Sequence, residues 1–140
     1  MAHFLFSVTI FLAAASTTLA SEPGYESEDA LLTAVRKSIQ MKSKADFLAC
    51  SCVARLTDNL KTRFETTTPI FMTHPMEWIK ARPGAEDPLK GLEGFEYNIQ
   101  YQGVIEVKYE GIEKPMPMPY GKYQGRYYLA SLVKQGTFQD

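Results

Sequence analysis

The first twenty residues of this chain contain no Lys, Arg, Asp or Glu, so all 15 basic and 16 acidic side chains lie beyond Ala20. An uncharged apolar run from Phe4 to Ala15, followed by Thr18-Leu19-Ala20, reads as a secretory signal peptide cut after Ala20. The run is too short to span a bilayer comfortably, and the small residues at Thr18 and Ala20 suit the shallow pockets of a signal peptidase. Only the terminal amine and His3 can supply positive charge at the start, which leaves an uncleaved anchor as the alternative. The expected mature chain, 21–140, holds about 120 residues, enough for one core and too few for two.

Other absences narrow the function classes. The net charge is −1 with both signs interspersed. There is no basic block and no basic amphipathic stretch, so binding to nucleic acid or to a membrane surface has no electrostatic footprint. The chain contains no Gly-rich phosphate loop, CxxC, HExxH or N-x-S/T sequence, which removes the common mononucleotide, zinc and glycosylation signatures. Beyond the leader one histidine, His74, and one tryptophan, Trp78, remain. Cys50 and Cys52 are the only cysteines. Export would place them where thiols oxidise, yet a bridge across a single residue closes a strained ring that regular backbone does not readily allow. Buried apolar side chains on a short helix are one reading of the pair, and redox or metal chemistry is the other.

Residues 21–26, SEPGYE, have no apolar periodicity and read as a mobile leader. Ser27 followed by Glu28 and Asp29 offers a helix N-cap, with Leu31, Val35 and Ile39 recurring at i, i+4 and i+8, and predicts a helix over 27–40. Ser43, with Asp46 three residues on, repeats the capping pattern before a short helix through Phe47 and Leu48 towards Cys50 to Ala54. Thr57 caps a third segment in which Leu60 and Phe64 lie four apart, ending before Pro69.

After Pro69 the pattern changes to strands and turns. Residues 70–72 and 77–81 are short strand candidates, followed by a loop over 82–94. From Phe95 to Tyr109 the odd positions are aromatic or aliphatic and the even ones mostly polar, with Val104 the exception. A two-residue hairpin at Gln102-Gly103 would mix apolar and charged residues on one face. A bulged three-residue loop, or one long strand bent at Gly103, is expected instead, keeping the odd positions on one tyrosine-rich face. The Pro115 to Tyr120 segment must lie at an edge if it pairs, Gln124-Gly125 reads as a hairpin turn, and 126–133 reads as a single strand. Helices first and a bent meander after predict an α+β domain over 27–135, two or three helices packed on a curved antiparallel sheet, with a frayed tail at 136–140.

The closing PMPYGKYQGRYYLASLV and the earlier Lys42-Ser43-Lys44-Ala45-Asp46-Phe47-Leu48 resemble a group of small exported bacterial proteins with an NTF2-like, cystatin-type fold. That resemblance implies a cone of sheet and helices related to the ketosteroid-isomerase-like folds, a superfamily holding isomerases, dehydratases, cyclases and non-catalytic binding domains. The matching motifs are a helix cap and a hairpin, so they carry no catalytic residue over, and fold alone does not choose among these functions.

An isomerase of this kind needs a carboxylate base facing an apolar pocket and a donor for the developing oxyanion. Tyr97, Tyr101 and Tyr109 could donate, but Glu96 and Glu106 fall on the polar parity and Asp46 is committed to capping. Cys50 or Cys52 with His74 would make a nucleophile and base, though no flanking motif supports it. Cys50, Cys52, Met72, His74, Met76, Met116 and Met118 together offer the soft ligands that Cu(I) prefers, with core and edge packing as the plainer explanation. The acidic loop around Glu86, Asp87 and Glu93 lacks calcium-loop spacing. The expectation is an exported, periplasmic or extracellular binding domain without a cofactor. It would hold a small apolar ligand or a protein partner against Trp78, Tyr97, Tyr101 and Tyr109, and could dimerise through the open sheet. A lyase or isomerase of the same fold and an envelope Cu(I)-binding protein are the alternatives. Intact-mass measurement of the exported protein should give a chain beginning at Ser21; retention of the first twenty residues would identify an anchor instead.

Overall fold

A computed structural model describes residues 23–135. The expected signal peptide, 1–20, and the tail expected to fray, 136–140, lie outside the described residues. Three helices precede six strands: α1 (Glu28–Gln40), α2 (Lys44–Ala49), α3 (Asp58–Thr66), then β1 (Met76–Pro83), β2 (Phe95–Tyr97), β3 (Gln100–Tyr109), β4 (Met116–Tyr123), β5 (Arg126–Leu129) and β6 (Leu132–Lys134). This is the expected α+β architecture, helices packed on a curved antiparallel sheet. Among the described residues no helix is long and apolar enough to cross a membrane.

All three helices begin at the hydroxyl caps expected from sequence. Ser27 accepts from the Ala30 amide at 3.0 Å, Ser43 from Asp46 at 3.2 Å and Thr57 from Leu60 at 3.4 Å, each satisfying an amide the helix leaves without a partner. Ser43 also ends α1. Its amide reaches the Ser38 carbonyl at 2.9 Å while Lys42 takes the left-handed conformation at φ 51°, a Schellman closure with lysine where glycine is usual. Leu31, Val35 and Ile39 form the buried stripe of α1.

The main sheet has the order β1-β3-β4-β5, and β2 pairs with β6 in a separate two-stranded ladder. The α1 stripe packs on one face of the main sheet, against Ile105, Val107 and Tyr109 of β3, Tyr120 of β4 and Leu129 of β5. β3 is one long strand bent near Gly103, but its odd positions do not stay together. Tyr101 pairs with Gly121 and Gly103 with Tyr120, so Gln102 is an extra residue that moves the register by one. Because side chains alternate with period two, that shift sends Ile99 and Tyr101 to the opposite face from Ile105, Val107 and Tyr109. Ile99 accordingly packs with Tyr128 and Cys52 in a second cluster. Gly103 and Gly121 permit the crowding at the bulge: a Cβ on Gly103 would lie 2.5 Å from the Arg82 carbonyl oxygen, and one on Gly121 would collide with the Gln100 carbonyl.

Two further expectations are corrected. Residues Ile70–Met72 form a 3₁₀ turn, not a strand, that drives Phe71 into the core beside Phe47, with ring centroids 5.1 Å apart. Pro69 presets the backbone for that turn, and Pro75 leaves too few residues for a ladder. The single strand expected over 126–133 is two strands: it leaves the main sheet at Ala130-Ser131 and pairs with β2. Within the segment read as a mobile leader, residues 23–25 are tied to the sheet: Tyr25 exchanges backbone hydrogen bonds with Tyr127, and Arg126 donates to the carbonyls of Pro23 and Gly24.

The proline segment sits at an edge, as expected. β5 pairs only with residues 120–123 of β4, leaving Met116 to Met118 paired on the β3 side alone. The Pro119 carbonyl accepts from Ala130 at 2.8 Å. The side of Pro119 that lacks a donor therefore faces away from β3, where no amide is required. The hairpin at Gln124-Gly125 has φ 50° and 78°, a type I′ turn.

Two core phenols make alkaline stability a readout of this packing. Burial pushes the Tyr109 hydroxyl up to about 12, and burial with the nearby charge of Glu28 raises Tyr120 as well. In the unfolded chain both ionise near pH 10, so the folded state keeps protons that the unfolded state releases. Their contribution is intact below pH 10 and is lost as pH rises through 10 to 12, at about 1.4 kcal/mol per pH unit for each phenol. Urea midpoints measured from pH 8 to 12 should show that decline, and Tyr109→Phe should make it shallower by one proton.

Candidate functional site

The four residues expected to line one ligand face stand in three places. Tyr109 is 2% exposed in the core under α1. Tyr97 and Tyr101 stack with centroids 5.3 Å apart, and both hydroxyls are engaged in holding the loop over 84–94. Tyr101 donates to the Ala85 carbonyl at 2.8 Å and Tyr97 to the Asp87 carboxylate at 2.5 Å, and burial together with that carboxylate raises the Tyr97 pKa. Trp78 lies opposite Lys108, on the sheet face away from α1, with the Lys80 ammonium 4.7 Å above its ring. Arg82 pairs with Glu106 at 2.7 Å and Lys108 with Glu77 at 3.5 Å on the same sheet. The face under α1, where Tyr109 sits, is thus filled by packed side chains, and the other carries paired charge.

The soft metal ligands are dispersed in the same way. Cys50 belongs to the main core and Cys52 to the second cluster. Both are free thiols, and burial pushes both above the usual thiol range, which keeps them protonated and weakens them as nucleophiles and ligands. Met76 and Met118 pack against the core, Met72 and Met116 are exposed at its margin, and His74 takes its hydrogen bond from or to Thr73 at 2.8 Å. Among the described residues no three His, Cys, Asp or Glu side chains gather as a metal set.

Among the clefts of the described residues is one of about 620 Å³ between α3 and the β2–β6 ladder; two others, of about 630 and 520 Å³, lie around residues 45–56. Leu60 and Phe64 supply its helical wall, and no residue of α3 is buried. Phe95 and Leu132, 39% and 37% exposed, supply the facing wall, with buried Leu56 and Val133 beneath. Tyr97, which pairs with Leu132, is the one expected site residue adjoining this wall. The cleft has the size of a small-molecule site. Among the described residues its lining contains Arg63 and Lys134, the hydroxyls of Thr57, Thr67 and Ser131, and no acid, histidine, cysteine or tyrosine.

One buried amide positions both walls. The Asn98 side chain, fully buried, donates to the carbonyls of Cys52 at 2.8 Å and Ala54 at 3.0 Å and accepts from the Ser131 amide at 2.8 Å. It joins the segment leading into α3 to the start of β6. Asn98 falls on the polar parity of 95–109, and the bulge downstream is what makes that parity misleading. The sequence signal for the cleft was subtler: α3 carries only Leu60 and Phe64 as large apolar residues, too few to seat a helix firmly.

In comparisons with known proteins, no family model, no curated protein and no solved structure matches this chain.

Asn98→Ala would leave two carbonyls and one amide without their side-chain partner. The expected loss is about 3 kcal/mol or more, read as a lower urea midpoint; a loss below about 1 kcal/mol would show that water replaces the amide at this junction.

Proposed function

We propose that this chain is an exported, non-catalytic binding domain of NTF2-like architecture that holds a small apolar ligand in the cleft between α3 and the β2–β6 ladder. The observation that carries the reading is apolar surface facing apolar surface across a gap. Leu60 and Phe64 on one side, and Phe95 and Leu132 on the other, stay partly exposed although each wall is aimed at the other. Completing the burial of such a side chain contributes about 1 kcal/mol or more, so a ligand occupying the gap gains a driving force the chain itself leaves unused. The NTF2-like assignment rests on the order of helices before a bent meander and on the sequence likeness at 42–48 and 117–133. The export assignment rests on the uncharged apolar leader.

Titration with the neutral fluorophore N-phenyl-1-naphthylamine tests the reading. Saturable enhancement with one site per chain is expected. Because α3 contributes no buried residue, Phe64→Ser should keep its circular dichroism spectrum while binding falls roughly tenfold, the effect of about 1.4 kcal/mol of lost apolar contact. Dye binding unaffected by Phe64→Ser and by Leu132→Ser would place the ligand elsewhere.

A further inference from the structure

We infer that α3 is a lid on the cleft: a hinged helix that stands off the body in the free chain and closes against the β2–β6 ladder over a bound ligand. This rests on the reading of the cleft as an apolar binding site and adds the motion that controls it. No residue of α3 is buried, and among the described residues none of its side chains joins either apolar cluster. Its polar contacts are its own. Among the described residues the hydroxyls of Thr57, Thr62, Thr66 and Thr67 bond only within 57–67, Lys61 pairs with Asp58 at 4.0 Å, and no side chain of α3 hydrogen-bonds or ion-pairs with another element. A helix of nine residues held this way is marginal by itself and opens more readily than the core beside it.

Fixed points on either side of α3 set its hinges. Before it, Asn98 holds the Ala54 carbonyl at 3.0 Å and Leu56 is buried; after it, Ile70 packs on the core and Phe71 lies within it. Between these points the joints are extended backbone, Thr57 at φ −72°, ψ 157° and Thr67 at φ −70°, ψ 134°, in a broad allowed region where ψ can turn without strain. The chemistry of the two flanks sets the direction of the swing. Phe64 borders both grooves, but Leu60 borders only the cleft, where Phe95 and Leu132 face it. The groove on the opposite flank is lined by Ala45, Leu48 and Val53, and there α3 presents Lys61 and Glu65. A swing that way would press two charges into apolar surface, whereas closure on the ladder covers Leu60, Phe64, Phe95 and Leu132. A ligand supplies the volume that α3 alone would leave void, so the closed state is populated when the gap is occupied.

Hydrogen exchange of the purified chain, with and without saturating N-phenyl-1-naphthylamine, tests this. In the free chain the amides of 61–66 should exchange about a hundredfold faster than those of 35–39 in α1. With the dye bound they should slow by about tenfold, with added protection at 95–97 and 132–134 and none at 44–49. Exchange of 61–66 as slow as that of α1 in the free chain overturns the lid, whatever the dye does. Unchanged exchange of 61–66 in a chain whose dye titration saturates overturns the lid while leaving the apolar cleft standing. Protection at 44–49 in place of 95–97 and 132–134 overturns closure on the ladder. No saturable dye binding overturns both the cleft and its lid.

Discussion

Three hydrogen bonds to one buried amide hold the parts of this molecule that the hydrophobic core does not. Asn98 is completely enclosed, and its side chain joins the 52–54 segment to the start of β6. Neither β2 nor β6 belongs to the main sheet, and α3 buries nothing of its own. Without that junction, a three-residue ladder and a nine-residue helix would have little to fix their separation. The cleft exists because its two walls are anchored at one end and not drawn together at the other. A core made only of apolar contacts would have closed it, since apolar burial is non-directional and favours collapse.

How much of this was legible in sequence depends on the range of the interaction that decides it. The caps at Ser27, Ser43 and Thr57 and the turn at Gln124-Gly125 are local chemistry, and each stands where the residues alone place it. The 3₁₀ turn at Ile70–Met72 was hidden because three apolar residues look alike in either conformation, and Pro69 decides between them. The division of 126–133 was hidden because its residues suit a strand throughout, whereas the break follows from the Pro119 carbonyl and the Asn98 side chain, both distant in sequence. The bulge at Gln102 had the largest effect. It was expected as a bend, but its inversion of the faces separates Tyr101 from Tyr109 and turns a supposed tyrosine wall into two unrelated packing sites. The cleft was least legible, since a gap between distant elements leaves no periodic pattern.

The sheet edges show how the remaining backbone groups are managed. The outer side of β5 is taken up by Tyr25 and by the Cys50 to Cys52 segment, through Tyr25 with Tyr127 and Leu129 with Cys50 and Cys52. The uncovered half of β4 carries prolines at 117 and 119, and β1 ends at Pro83 with Lys80 and Arg82 along it. Proline and exposed cations on edges oppose pairing with further strands. The two cysteines have a place in this arrangement that their reactivity does not require: the backbone around them covers an edge while their side chains fill two different clusters.

The pairing of Tyr25 with Tyr127 also sets an order of assembly. The helix that follows Tyr25 is made early in synthesis, and its apolar stripe packs on Cys50, Phe71 and β1 nearby, but also on Ile105, Tyr120 and Leu129 of strands made much later. The longest of these closures must precede the contacts that compensate for the lost entropy, so the β3 to β5 part of the core forms late. Until the Gln124-Gly125 hairpin turns back, Tyr25 has no strand to bind and the α1 stripe lacks Leu129 as part of its cover. Completion of the core thus waits on the last strands, although α1 meets α2 and β1 well before them.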